Sequence, residues 1–91
     1  MLLYLFMSNI SFDYSKTNIL VTGGTSGIGK AIAEAYLTAG ADVTITGTKS
    51  SLQKYSNIAD KFSYIKLNLE DKKSIDNIKN SIKELDILIN N

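Results

Sequence analysis

The chain has 91 residues, 44% of them hydrophobic, which allows one globular unit with a modest core and no more. Its 10 basic and 9 acidic side chains are spread along the sequence and leave a net charge of +1, which excludes the electrostatic footprint of a nucleic-acid or anionic-membrane binder. Cysteine and histidine are both absent, so disulfides, thiolate zinc sites and histidine-based triads are excluded, and the lack of cysteine fits a cytoplasmic setting.

Residues 1–7, MLLYLFM, are apolar, but they carry no basic flank and are too short to span a bilayer. They read as part of an N-terminal extension over residues 1–16, with Met7 as an alternative start. Within it, residues 10–14 alternate apolar and polar, which suits a short lead-in strand or an extended arm. TNILVT, residues 17–22, is β-branched, apolar and bounded by glycine, the pattern of a buried strand. Ile28, Ile32, Ala35, Tyr36 and Ala39 share one helical face before Gly40, and DVTITG at 42–47 returns to strand composition. That strand, helix and strand together match the unit of about 30 residues expected of a parallel crossover.

Beyond it, residues 50–55 suit a short helix and residues 57–61 a loop. FSYIKL, residues 62–67, reads as a third strand whose alternation equally fits a sheet edge. Asp71 is a suitable N-cap for a helix marked by Ile75, Ile78, Ile82 and Leu85 at spacings of three and four. DILINN, residues 86–91, forms a fourth strand. Strands alternating with helices predict an α/β fold with a doubly wound parallel sheet over residues 17–91.

The chemistry concentrates in TGGTSGIGK, residues 22–30, between the first strand and the first helix. Glycines at 23, 24, 27 and 29 admit backbone and ligand close together, Thr25 and Ser26 favour a turn, and the helix re-entered at Ile28 offers free N–H groups at its positive end. Such a site suits a phosphate or pyrophosphate. Gly27 is expected to keep space open both for that group and for close helix–strand packing. In a parallel sheet the glycine loop, residues 47–49, Asn68 and Asn90 fall on one rim, where ligands of such folds bind.

Two nucleotide readings compete. Gly24 to Lys30 fits the GxxxxGK of a P-loop, but Ala31 follows where a serine or threonine should meet magnesium, and no later strand ends in the aspartate such NTPases use. Lys30 is then a first-turn base near bound phosphate, and the dinucleotide reading is preferred.

TGGTSGIG resembles the TGxxxGxG cofactor loop of the short-chain dehydrogenase/reductase family, and LNLED at 67–71 and LDILINN at 85–91 resemble that family's later segments. The ITGTKSS and LNLED stretches look most like its 3-oxoacyl-acyl-carrier-protein reductases. The resemblance implies a Rossmann-type dinucleotide-binding half-domain over 17–91 and an NAD(P)-dependent oxidoreductase moving hydride between nicotinamide and a carbonyl or alcohol. It further implies a homo-oligomer when complete, with neither nucleic acid nor membrane as partner. Gly23, Gly24, Thr25, Ser26 and Ile28, with Gly27 and Gly29, would meet the cofactor's pyrophosphate and ribose. Asn68 and Leu69 would line the adenine pocket, Asn68 accepting from the adenine amino group. Asn90 would sit between the third- and fourth-strand ends near the adenosine ribose, or serve as a structural tie between strands.

The family's Tyr-x-x-x-Lys has no counterpart at Tyr55 or Tyr64, since positions 59 and 68 are Ala59 and Asn68. The expectation is a half-domain truncated before the catalytic half and inactive alone, with a catalytically silent nucleotide-binding or interaction module as the alternative. For the cofactor, NAD recognition usually needs an acid about 20 residues past the glycine loop. Thr46-Gly47-Thr48-Lys49 stands there without one. Thr48 and Lys49, helped by Lys30 or Ser26, are therefore expected to bond a 2′-phosphate, which favours NADP over NAD.

Overall fold

The computed structural model describes residues 13–68, 70–81 and 84–90. Four parallel strands form one sheet: β1 (Asn18–Thr22), β2 (Asp42–Gly47), β3 (Ser63–Lys66) and β4 (Ile87–Asn90), in the order β3-β2-β1-β4. Helix α1 (Gly27–Thr38) joins β1 to β2, a short 3-10 helix (Leu52–Lys54) lies between β2 and β3, and α2 (Lys72–Ser81) leads from β3 toward β4. The elements expected from residue 17 onward are present with two differences: the short helix after β2 is reduced to a single 3-10 turn, and α2 is described only to Ser81, so that Ile82 lies outside the described residues and Leu85 is not helical. Of the lead-in strand expected at 10–14 only residues 13 and 14 are described, and they are not strand.

The first strand is buried along its middle because it lies inside the sheet. Ile19, Leu20 and Val21 are all buried, so the run is apolar on both faces, as parallel strands require. Ile19 and Val21 pair in register with Val43 and Ile45 on β2, and with Ile87 and Ile89 on β4. Ala33 of α1 joins Ile19, Val21, Val43, Ile45, Leu52 and Phe62 in one core. A small residue at position 33 lets α1 lie close to the sheet. At the amino end of the strands, the Asp86 carboxylate accepts the Asn18 N–H at 2.8 Å while the Asp86 N–H donates to the Asn18 carbonyl at 2.9 Å. These reciprocal bonds fix the register of β4 on β1. Asp71 caps α2 as expected, its carboxylate accepting the Lys73 N–H at 3.0 Å.

The sheet order reverses after β3. The chain steps outward from β1 to β2 to β3, then returns past both to lay β4 on the free side of β1. Right-handed crossovers bring such a return over the face opposite α1. The reversal opens a crevice at the carboxyl ends of β1 and β4, the switch point where α/β sheets take their ligands. It also corrects the expected place of Asn90: β3 and β4 form opposite edges, so Asn90 lies beside β1 and not between the third and fourth strands.

The face that carries Leu20 is less well covered than the other. Leu88, paired with Leu20, is 55% exposed, and a cavity of about 560 Å³ at the amino ends of the strands is lined by Leu20, Thr44, Asn80 and Leu85 among others. Among the described residues, both edge strands, β3 and β4, also offer unpaired backbone groups. Among the described residues, no helix is long and apolar enough to cross a membrane. The 91-residue chain expressed alone should therefore self-associate or melt without cooperativity. Size-exclusion with light scattering and a thermal melt test this, and a monodisperse monomer with a sharp transition would contradict it.

Candidate functional site

The turn that leaves β1 divides its tasks among its glycines. Gly23 adopts φ 65°, which turns its N–H inward to the buried Thr46 hydroxyl, 3.1 Å away on β2. That amide holds the turn against the neighbouring strand. Gly24 lies against Ile45 so closely that a Cβ there would stand 2.6 Å from Ile45 Cγ2. Gly27 differs: at φ 57° it occupies the left-handed region, yet a Cβ would meet nothing within 4 Å. The close approach to the strand expected of Gly27 is thus made by Gly24. Gly27 supplies the backbone conformation and the open space above the helix end.

Helix α1 starts from Ser26, whose backbone is extended and whose hydroxyl makes no capping bond. The first helical bond runs from the Lys30 N–H to the Ser26 carbonyl at 3.2 Å. The N–H groups of Gly27, Ile28 and Gly29 therefore have no acceptor within the helix. No acid occupies the first turn, so the partial positive charge of the helix end is not offset. Gly29 is buried, whereas the Ile28 side chain is 72% exposed beside the turn. Lys30 pairs with Glu34 at 3.7 Å along the helix, so its ammonium is engaged with a neighbour one turn on.

At the end of β2 the chain makes a compact knot. The Tyr55 hydroxyl comes so close to Gly47 that a Cβ there would collide with it, and would also stand 2.8 Å from Thr25 Cγ2. The glycine loop and the end of β2 meet at this point. The Tyr55 oxygen accepts the Lys49 N–H at 3.0 Å and lies 3.2 Å from the Tyr64 oxygen, while Tyr64 donates to the Lys49 carbonyl at 2.6 Å. The Lys49 ammonium rests 4.9 Å from the centroid of the Tyr55 ring and donates to the Lys54 carbonyl at 3.3 Å. Burial raises the pKa of the Tyr55 hydroxyl, but its hydrogen bonding with Tyr64, the Lys49 amide, Thr48 and Thr25 outweighs this and leaves it below the ordinary tyrosine value. Tyr64 is pushed well above that value, by burial first and then by Tyr55.

The other two strand ends are already in use. Asn68 donates its N–H to Ser74 Oγ at 2.8 Å, and its side-chain oxygen accepts the Glu70 N–H at 3.0 Å, forming the turn into α2. One lone pair of that oxygen remains for a further donor. Ser74 Oγ donates in turn to the Lys66 carbonyl at 3.1 Å. Leu69 lies outside the described residues. The Asn90 side-chain oxygen stands 3.2 Å from Thr22 Oγ1, an arrangement that ties β4 to β1 at the rim. The sequence pattern assigns no part to Tyr55, Tyr64 or Ser74, whereas the strict alternation of DVTITG puts Thr46 on a sheet face and is the one signal available for it.

The open parallel sheet, its switch point and the glycine turn define a Rossmann-type α/β fold. The sequence model of the family described as short chain dehydrogenase matches residues 17–91. The 3-oxoacyl-[acyl-carrier-protein] reductase FabG of Haemophilus influenzae is 44% identical over 78 residues, covering 79% of this chain and 32% of that protein. The enzyme of the same name from Aquifex aeolicus is 42% identical over 82 residues, covering 79% of this chain and 33% of its own length. A solved structure described as a short chain dehydrogenase/reductase family protein superposes with a TM-score of 0.76 at 34% identity, covering 88% of this chain and 35% of that one. The chain belongs to the short-chain dehydrogenase/reductase family, and it spans about a third of the length of the curated relatives it matches.

The two glycines should respond differently to a methyl group. Gly24→Ala overpacks against Ile45 and should cost about 1–3 kcal/mol of stability. Gly27→Ala meets no neighbour and should cost only the left-handed backbone, about 1–2 kcal/mol. Denaturant unfolding of the full-length protein compares them, and a Gly24→Ala variant as stable as the parent would show that the Ile45 contact is not tight in solution.

Proposed function

We propose that this chain is the cofactor-binding part of an NAD(P)-dependent oxidoreductase that moves hydride between nicotinamide and a carbonyl or alcohol. The observation that carries this reading is the uncapped, acid-free start of α1 at the switch point, with open space over Gly27. A pyrophosphate fits that setting in charge and in room. The amides of Gly27, Ile28 and Gly29, with the Thr25 and Ser26 hydroxyls, would hold it, and Gly24 keeps their turn close to β2. Gly23 contributes by shaping the turn, since its N–H is directed to Thr46. The exposed Ile28 would cover the cofactor on one side.

The bound nicotinamide supplies or accepts the hydride. This chain's own residues bind and orient the dinucleotide. Asn90 and Thr22 at the end of β4 and β1 would stand near a ribose, and Asn68 with Leu69 near the adenine. Reduction of a carbonyl is favoured by the relatives, which are named as reductases of 3-oxoacyl groups on acyl carrier protein. We assign no catalytic residue within these 91 positions. The complete protein is proposed to be a cytoplasmic homo-oligomer.

NADP is proposed over NAD because the end of β2 carries Thr48 and Lys49 and no acid. A charge-assisted bond to a 2′-phosphate contributes about 1.5–3 kcal/mol. Dissociation constants for both dinucleotides on the full-length protein should favour NADP, and Thr48→Asp should move the preference toward NAD by repelling the phosphate. Equal affinity before the change, or no movement after it, would overturn the cofactor assignment. Binding of neither dinucleotide would overturn the function.

A further inference from the structure

Three hydrogen bonds close a ring around the backbone of one residue. A tyrosine hydroxyl has a single proton to give. That of Tyr64 lies on the Lys49 carbonyl, in the shortest bond of the set at 2.6 Å. The proton shared between the two tyrosine oxygens, 3.2 Å apart, is therefore that of Tyr55. The Lys49 N–H donates to the Tyr55 oxygen at 3.0 Å. Donation thus runs from the Lys49 amide to Tyr55, from Tyr55 to Tyr64, and from Tyr64 back to the Lys49 carbonyl, each group giving once.

We propose that Tyr55 and Tyr64 are positioning residues that set coenzyme preference by fixing the backbone of Lys49 through this ring. The proposal rests on the function proposed above, in which Thr48 and Lys49 receive the 2′-phosphate. Neither tyrosine is a ligand. Their rings pack at 5.8 Å between centroids, which holds the two hydroxyls together from different elements. Tyr64 stands on β3, whereas Tyr55 follows the 3-10 turn, so the ring ties the segment after β2 to the edge of the sheet. Gly47 makes room for it, because any side chain there would displace the Tyr55 hydroxyl.

The Lys49 side chain belongs to the same arrangement. Its ammonium lies against the Tyr55 ring and bonds the Lys54 carbonyl, a resting place on the loop itself. A fixed main chain with a side chain that exchanges one acceptor for another presents the charge from a constant origin. Without the ring, the segment after Gly47 would have to be ordered by the phosphate, and that cost falls on NADP alone.

The test compares NADP and NAD affinities of the full-length protein with those of Tyr64→Phe, Tyr55→Phe and the double variant. Each phenylalanine keeps the aromatic packing and removes one member of the ring. NADP affinity should fall roughly 3- to 10-fold more than NAD affinity in either single variant. The double variant should be no worse than the singles, because one break opens the ring. Equal weakening of both dinucleotides, or an unmoved preference, overturns the proposal, and Tyr55→Phe decides it should Tyr64→Phe fail to fold. Hydrogen exchange at the Lys49 amide reads the ring with no cofactor present: it should be protected in the parent and faster in both variants, and equal exchange also overturns the proposal. A protected Lys49 amide in a protein that binds neither dinucleotide instead sinks the function reading, and the coenzyme role with it.

Discussion

The contact of Gly24 with Ile45 constrains the geometry at the rim. Once β1 ends, the chain has to cross the carboxyl end of β2 before it can begin α1, and Ile45 is fully buried there with no freedom to move aside. Only a backbone without a Cβ passes. Because it passes so low, the Gly23 amide reaches Thr46, Thr25 comes to the end of β2, and the first amides of α1 emerge at the crevice between β1 and β4. The same closeness sets Ala33 against the core, so the turn and the helix face are solutions to one packing problem.

This interplay explains what could be read from the residues alone. The strands and helices were legible because their apolar patterns are strong: Ile19, Leu20 and Val21 form an unbroken apolar run, Val43 and Ile45 alternate with threonines, and Ile75 and Ile78 recur at helical spacing. The rim was legible too, since parallel strands must end on one side. Which glycine performs which task was not. Gly24 and Gly27 are identical letters in one turn, and only the position of Ile45 separates the packed one from the open one.

The place of Asn90 was illegible for another reason. Local pattern shows that a strand exists but not on which side of β1 it pairs, and the reversal after β3 is settled by handedness and by the tie between Asp86 and Asn18, 68 residues apart. The Tyr55 and Tyr64 knot is likewise a long-range product. Nothing in the sequence joins the two residues, which lie nine positions apart on different elements. Their hydroxyls meet because the 3-10 turn folds back over Gly47, a feature no periodicity announces.

The pairing of the first strand with the last also orders events in time. As the chain leaves the ribosome, α1 and β2 can settle on β1 within a few dozen residues. The opposite edge of β1 stays an open row of hydrogen-bonding groups until residues 87–90 arrive, which at ordinary elongation rates is roughly 2–9 s after β2 is made. For that interval β1 is paired along one edge only. An apolar strand left with one edge open in this way is prone to the wrong pairing until its second neighbour arrives.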